Sequence, residues 1–163
     1  MILKLIPNTH PILHERVKSC SDDLDRPEMS RILKENMLHY EGIGLSANQV
    51  GISERVFIMM LNIETEETIT CFNPRIVKRY EDDVWFEEGC LSIPGFNETI
   101  ARPDKIKLIW QNLSGEAMED TPEGILTVCI QHEIDHLDGK LMVDYVSALK
   151  RDRIRNKLLK DFR

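Results

Sequence analysis

The segment Ile125–Leu137 constrains this chain most strongly, because it has the pattern of a buried helix but carries polar side chains that are costly to bury. His132 and His136 are four residues apart, so in a helix both imidazoles lie on one face and can reach one metal ion. Glu133 follows the first histidine and would project beside that ion, where a carboxylate can take a proton from water. The alternative is a surface charge pair and two ordinary histidines.

This HExxH pattern does not identify an enzyme until a third metal ligand is found. Peptidases with the pattern usually take it from a downstream Glu or His, but no His follows His136 and no Glu follows Glu133. The nearest downstream carboxylates belong to Asp138 and Asp144. Upstream, Cys90 lies in a segment flanked by Gly and Pro, which favours a fixed, partly exposed metal thiolate; a buried, unreactive cysteine is the alternative.

The composition is that of a folded protein with one domain. The chain has 163 residues, 42% of them hydrophobic, so we expect a single catalytic domain over residues 1–163. No apolar run approaches the roughly 18 residues of a membrane span, and Met1–Leu5 lacks the features of a signal peptide. We therefore expect a cytoplasmic protein with no membrane partner. Four scattered cysteines without a CxxC pair argue against a disulfide framework.

The charge is unevenly distributed along the chain. The net charge is −7, but Ser147–Arg163 has seven Lys and Arg against two Asp, so this segment carries +5 and the rest carries −12. An acidic body disfavours general binding to nucleic acid. The basic segment is either a solvated helix face or a local contact for a polyanion.

Hydrophobic patterning predicts an N-terminal helix and a central one. The first runs from Arg26 to about Tyr40 and stops at Gly42, with Asp25 as its cap and Glu28 completing a capping box. The central helix has the cap, first position, body and stop that are typical of a helix, and these are Thr121, Pro122, Ile125–Leu137 and Gly139.

A C-terminal helix and several strands complete the prediction. The helix starts at about Ser147, and its apolar stripe consists of Leu149, Ile154, Leu158 and Phe162. The β-rich runs, separated by turn clusters such as Asn112–Gly115, are Val56–Leu61, Thr68–Phe72, Ile76–Tyr80 and Lys105–Trp110. We therefore expect an α+β fold in which antiparallel β-strands pack around the central HExxH helix, with an N-terminal and a C-terminal helix.

Three motifs together resemble the signature motifs of the peptide deformylases. Glu88–Ser92 and Gln131–Gly139 match two of them, and Gly42–Gln49 is similar to the third. The motifs occur in the family's order, and the likeness runs over essentially the whole chain. It implies a hydrolase that removes the N-formyl group from the initiator formyl-methionine of nascent polypeptides and releases formate. The alternative is a zinc metallopeptidase whose third ligand is acidic, such as Asp144.

The resemblance also implies a metal centre. One divalent metal ion would be bound by Cys90, His132 and His136, with Fe(II) expected and Zn, Ni or Co able to replace it. Three protein ligands leave a position for water, which is typical of a catalytic site. Glu133 would act as the general acid and base.

Oxyanion stabilisation and substrate binding are assigned in the same way. The resemblance implies that the Gln49 side-chain amide and the Leu91 backbone N–H stabilise the oxyanion. Other residues match positions that line the substrate pocket in the family, and ordinary core packing is the alternative role for them. The expected substrate-binding residues are Gly42, Ile43, Gly44, Phe86, Glu88, Gly89, Ile125, Val128 and Cys129.

The chain departs from the family pattern at two positions. Ser46 stands where the family has Ala, and we expect this to change packing rather than activity. Asn97 stands where bacterial members often have an Arg that helps to hold the substrate backbone, which weakens the expected grip on longer peptides. A polar cluster of Glu88, Glu41 and Arg102 would support Cys90, with a surface ion pair as the alternative.

The expected partners are the formyl-methionyl peptides of nascent chains. In bacterial relatives the C-terminal helix docks on the ribosome, and the basic segment after Ser147 resembles a short version of it, so binding to ribosomal RNA is a hypothesis. A monomer is the default expectation.

Overall fold

The computed structural model describes residues 1–80 and 83–161, and within these ranges it has three α-helices and seven β-strands. The helices are α1 (Arg26–His39), α2 (Ile125–Leu137) and α3 (Ala148–Asp161). The strands are β1 (Gly44–Ser46), β2 (Val56–Asn62), β3 (Glu67–Arg79), β4 (Asp83–Cys90), β5 (Ile93–Pro103), β6 (Ile106–Gln111) and β7 (Ala117–Asp120). Because every strand pair is antiparallel, the predicted α+β class is confirmed.

The strands form two sheets. One has five strands in the order β1-β2-β3-β6-β7, and the other is the β4–β5 hairpin. The two runs predicted at 68–72 and 76–80 are one strand, β3, whose register shifts between Phe72 and Arg75. Asn73 takes a left-handed conformation there, with φ 49°, so a bulge containing Pro74 interrupts a continuous strand rather than ending it.

Helix α1 begins at the predicted residue with the predicted Asp25 cap, but the predicted capping box with Glu28 is not formed, and the end of the helix differs by one residue. Asp25 accepts a hydrogen bond from the Glu28 N–H at 3.0 Å, while the Glu28 carboxylate is bound by Arg31. The left-handed residue that ends the helix is Glu41, with φ 56°, and the Gly42 N–H then donates to the Met37 carbonyl. The glycine therefore follows the turn instead of making it.

The prediction that Thr121 caps α2 is wrong, although the helix body is where it was expected. The helix starts after Gly124, whose φ is 71°. Residues before it are held by the first residue of β6 and by the turn that precedes this strand: the Ile106 N–H donates to the Pro122 carbonyl, and the Gly124 N–H donates to the Asp104 carbonyl. These contacts prevent residues 121–124 from entering the helix.

Helix α2 lies in the main core. Its buried face, including Ile130 and Ile134, packs with Phe57 of β2 and Trp110 of β6 in one hydrophobic cluster. Its last carbonyl, that of Leu137, accepts hydrogen bonds from the Val17 N–H and from the Arg55 guanidinium. The helix is therefore fixed along its length, which positions the polar residues on its other face.

Helix α3 packs on the β4–β5 hairpin. Ile154 and Leu158 are buried in a cluster that includes Ile93 and Ile100. Leu149 is 71% exposed, so the prediction that it belongs to the apolar stripe of the helix is wrong. Phe162, the last residue of that stripe, lies outside the described residues. Among the helices that the structure describes, none combines the length and apolar character required to cross a membrane.

Candidate active site

Cys90, His132 and His136 converge on one point. One ligand atom from each of the three side chains lies within 4.8 Å of the other two. The two histidine Nε2 atoms are 3.1 Å apart, and the Cys90 Sγ lies 3.3 Å from His136 Nε2. Two nitrogen ligands at ordinary metal–nitrogen distances in a tetrahedral site are separated by about 3.3 Å, so the three side chains fit a divalent metal ion.

The convergence is produced by two elements. Cys90 ends β4, where the register shifts between Gly89 and Cys90 and the chain turns towards β5. Helix α2 presents both histidines on one face, as their spacing predicts. Asp144 is not a member of this cluster. Its carboxylate instead accepts a hydrogen bond from the Leu141 N–H at 2.9 Å.

Glu133 lies beside this cluster and is almost completely buried. Burial raises the pKa of its carboxyl group, an effect that the neighbouring His132 and a hydrogen bond from Ser46 oppose. The Ser46 hydroxyl donates to Glu133 Oε2 at 2.6 Å. A Cβ at Gly44 would lie 2.6 Å from the other carboxylate oxygen, so only glycine allows this close approach. The surroundings therefore hold a carboxylate that is poised to exchange a proton.

Ser46 makes specific hydrogen bonds, whereas the sequence predicts only a change in packing at this position. Its hydroxyl orients the carboxylate of Glu133, and its backbone N–H donates to Gln49 Oε1 at 3.0 Å. No spacing rule distinguishes such a serine from an alanine. Its only signal in the sequence is a polar residue inside an apolar motif.

Gln49 lies beside the Cys90 thiol, and Leu91 is the next residue of the chain after Cys90. The Gln49 Nε2 is 3.7 Å from the Cys90 Sγ and 3.2 Å from the Ser92 hydroxyl. Leu91 directly follows Cys90, and its side chain is close enough to Gly42 that a Cβ there would lie 2.7 Å from it. Both predicted oxyanion donors are therefore adjacent to the cluster.

A buried hydrogen-bonded network supports His132. Its Nδ1 is 3.0 Å from Glu88 Oε1, and Arg102 donates to both Glu88 oxygens and to Asp135 Oδ2. The side chains of Glu88 and Arg102 are each 3% exposed, which contradicts the surface ion pair considered for them. Glu41 is exposed and is not a partner in any of these bonds. Burial alone would raise the pKa of Glu88, but hydrogen bonds from His132 and Arg102 lower it below the usual range.

The network extends to Tyr145 in the short 3₁₀ turn Met142–Tyr145. The Tyr145 hydroxyl donates to Asp135 Oδ2 at 2.7 Å. Burial, followed by the charge of Asp135, raises the pKa of Tyr145 to about 12, so the hydroxyl remains protonated. His136 differs from His132, because its buried Nδ1 has no hydrogen-bond partner among the described residues.

A cavity of about 600 Å³ opens onto the cluster. Its walls contain eight of the nine predicted substrate-binding residues, namely Gly42, Ile43, Gly44, Glu88, Gly89, Ile125, Val128 and Cys129. Phe86 is half-buried on β4 and is not part of the lining. Asn97 also lines the cavity, and its Oδ1 lies 2.6 Å from where a Cβ at Gly89 would be.

A larger cavity of about 1160 Å³ lies elsewhere, between Arg16, Trp110 and Met118. It lacks the set of three ligand side chains found beside Glu133. The smaller cavity is therefore the better candidate, because polar groups converge on it.

Comparisons with known proteins agree with this geometry. The family model for polypeptide deformylase matches residues 2–152. The peptide deformylase of Pseudomonas aeruginosa is 41% identical over 161 residues, which cover 99% of this chain and 90% of the relative. That of Alkalilimnicola ehrlichii is 44% identical over 163 residues, with 98% and 90% covered.

Solved structures are similar over nearly the full length. The peptide deformylase from Legionella pneumophila has a TM-score of 0.90 at 36% identity and covers 98% of this chain and 95% of its own. That from Ehrlichia chaffeensis has a TM-score of 0.91 at 30% identity, with 99% and 97% covered. Sequence and fold thus lead to the same conclusion: this chain belongs to the polypeptide deformylase family.

Proposed function

We propose that this chain is a peptide deformylase, a metal-dependent hydrolase that removes the N-formyl group from the initiator formyl-methionine of nascent polypeptides and releases formate. The observation that carries the proposal is the convergence of Cys90, His132 and His136 beside the buried Glu133. Residues 1–163 would act as one catalytic domain. The resident metal ion would be Fe(II), which Zn, Ni or Co can replace.

The metal ion, when bound, supplies Lewis-acid activation of water and of the formyl oxygen. Glu133 does the proton transfer: its carboxylate accepts a proton from the water that adds to the formyl carbon. It then delivers this proton to the peptide nitrogen as the C–N bond breaks, which leaves formate and a free amine. Its buried position and the Ser46 hydrogen bond support this role, because both fix the carboxylate next to the reacting atoms.

Two donors would stabilise the oxyanion that develops on the formyl oxygen. They are the Gln49 side-chain amide, which lies 3.7 Å from the Cys90 Sγ, and the backbone N–H of Leu91, which follows Cys90 in the chain. Gln49 is 1% exposed, and its carbonyl oxygen accepts from Ser46, so its NH₂ group is held facing the thiol. Loss of one such donor typically raises the barrier by about 3 kcal/mol.

The substrate would lie beside the start of β1, where the exposed Ile43 and the neighbouring Gly44 line the cavity. An extended peptide would bind along the backbone there, whereas Leu45 and Ser46 are fully buried. Val128 and Cys129 line the cavity from α2 and provide apolar surface for the methionine side chain. The close approach of Gly44 to Glu133 favours a formyl group, which carries only hydrogen on its carbonyl carbon.

The test is formate release from a formyl-Met tripeptide by anaerobically prepared Fe(II) or Ni(II) protein. We expect turnover by the native chain and a loss of at least about 100-fold in Glu133→Gln with metal still bound. Glu64→Gln, an exposed glutamate in the β2–β3 turn, is the matched control. A fully metallated native chain that releases no formate would overturn the proposal. An active Glu133→Gln variant would show that Glu133 is not the general base.

The protein would act as a cytoplasmic monomer and would contact ribosomal RNA through α3. Deletion of the helix is a poor test, because Ile154 and Leu158 are buried in the core. Arg153 and Arg155 are exposed, so their joint replacement by Gln removes charge without exposing that core. Unchanged pelleting of this variant with ribosomes at low salt would contradict the contact.

A further inference from the structure

Tyr145 is the outermost member of the network that ends on His132. It lies in the 3₁₀ turn between α2 and α3, and the residue is 46% exposed. Its hydroxyl nevertheless points inward and donates to Asp135 Oδ2 at 2.7 Å, while the Arg102 guanidinium carbon lies 4.9 Å from the centre of its ring. Tyr145 therefore contacts two consecutive members of the network.

Each link in this network has a fixed direction. Arg102 can only donate, and it does so from Nη1 to Asp135 at 2.9 Å and from Nη2 to Glu88 at 2.9 Å. Glu88 then accepts at Oε1 from His132 Nδ1. With Nδ1 as the donor, the Nε2 lone pair of His132 is directed at the point where Cys90 and His136 converge.

The network is also shielded from solvent and rigid. The side chains of Glu88 and Arg102 are each 3% exposed and that of Asp135 is 11% exposed, so water cannot easily replace a lost partner. Because the guanidinium is planar, fixing one of its edges on Asp135 also fixes the other edge on Glu88. A change in the position of the Asp135 carboxylate therefore changes the orientation of the His132 ring.

We propose that Tyr145 is a positioning residue of the metal centre, which holds Asp135 and, through Arg102 and Glu88, sets the orientation of His132 towards the metal ion. The competing explanation is that Tyr145 only anchors the turn before α3. A turn anchor would affect the stability of the fold but not the coordination of the ion. The inference rests on the proposed function for the identity of the site, but positioning can be measured without substrate.

The test uses Tyr145→Phe, which keeps the ring over Arg102 and removes only the hydroxyl. The protein is loaded with Co(II), its visible absorption bands are recorded, and its Co(II) dissociation constant is measured by competition with a chelator. Direct supporting partners of metal ligands typically change affinity by about 10–100-fold. Tyr145 acts on His132 through three other side chains, so we expect a smaller effect, about three- to tenfold weaker binding and a shift of the Co(II) bands.

Tyr80→Phe is the matched control, because its ring lies near Lys78 and Lys105 and it is not a member of the network. It should leave both readings unchanged. A double-mutant cycle gives the sharper result: in a Glu88→Gln background the path to His132 is interrupted, so Tyr145→Phe should have no further effect on Co(II) affinity.

Two results would overturn the inference: Co(II) bands and affinity in Tyr145→Phe equal to those of the native chain, or an equal loss with and without Glu88. Failure of the proposed function is distinguishable, because it would appear as absent formate release in a chain that binds Co(II) normally.

Discussion

Two arginines in this molecule bind carboxylates with the same pattern of atoms. Arg102 donates from Nε and Nη2 to Glu88 and from Nη1 to Asp135. Arg31 donates from Nε and Nη2 to Glu28 and from Nη1 to Glu35. The chemistry is identical, but the side chain of Arg31 is 52% exposed and that of Arg102 is 3% exposed.

The difference lies in what each arginine connects. The Arg31 pairs are three and four residues apart on one helix, where exposed ion pairs contribute little. Arg102 joins β5 to Glu88 on β4 and to Asp135 on α2, and it does so in the interior, where desolvating the charges offsets much of their attraction. We infer that the buried set is retained for the geometry it imposes on His132 rather than for net stability.

The largest expected difference is in stability after each arginine is replaced. Arg102→Leu leaves Glu88 and Asp135 as buried carboxylates without their cation, so the free energy of unfolding of the metal-free chain should fall by about 3–5 kcal/mol. Arg31→Leu should leave the urea midpoint unchanged within error. Equal midpoints for the two variants would show that burial does not distinguish the networks.

The next effect concerns the metal ion. Glu88→Gln should weaken metal binding by about 10–100-fold, because a neutral amide holds the His132 ring less firmly than a carboxylate does. The measurement is chelator competition with Zn(II) or Co(II). Glu28→Gln makes the same substitution in the exposed network and should not change the dissociation constant; if it does, the comparison fails.

A smaller effect is expected from pH. Hydrogen bonds lower the pKa of both Glu28 and Glu88, and for Glu88 this outweighs the opposing effect of burial. Since each folded-state pKa is below the unfolded value, each group contributes stability above the ordinary glutamate pKa and loses it as the pH falls through the folded-state pKa. The slope of unfolding free energy below pH 5 should therefore be flatter in Glu88→Gln and in Glu28→Gln than in the native chain. A slope in either variant equal to that of the native chain would contradict this.

Salt should give the smallest change. Charges at the surface are screened by about 1 M NaCl, whereas a buried pair is screened much less. Any difference in urea midpoint between the native chain and Arg31→Leu should vanish at that concentration, and the difference for Arg102→Leu should persist. A stability loss in Arg102→Leu that disappears with salt would show that solvent reaches this network.

Local patterns predicted the ligand helix well. The body of α2 and the common face of His132 and His136 follow from a period of 3.6 residues, and periodicity survives in a buried helix. The β4–β5 hairpin was not predicted as strands, because Gly89 and Pro94 and its charged residues hide the alternation expected of a sheet. The prediction for Thr121 is wrong because Pro122 and Gly124, which follow it, are bound by residues at and just before the start of β6. Contacts between segments that are apart in the sequence leave no local signal.

The supporting residues show the same limit more clearly. Ser46 acts on Glu133 across 87 residues, and Tyr145 reaches His132 only through three other side chains. Nothing in the spacing of these residues encodes such contacts. Sequence patterns thus pointed to the groups that would do the chemistry and to Glu88 and Arg102 as supporting groups, whereas the fold was needed to find the contacts of Ser46 and Tyr145.

The last carbonyl of α2 is bound by residues that are distant in the sequence, and this has a consequence for the order of folding. The Leu137 carbonyl is held by Arg55, 82 residues earlier, and by the still more distant Val17. Contacts over such separations carry a loop-closure cost and form slowly. Cys90 is likewise remote from the histidines, so an unfolded chain offers an ion only scattered donors. We therefore expect the metal to be captured by a chain that is already folded, with refolding rates that do not depend on metal concentration.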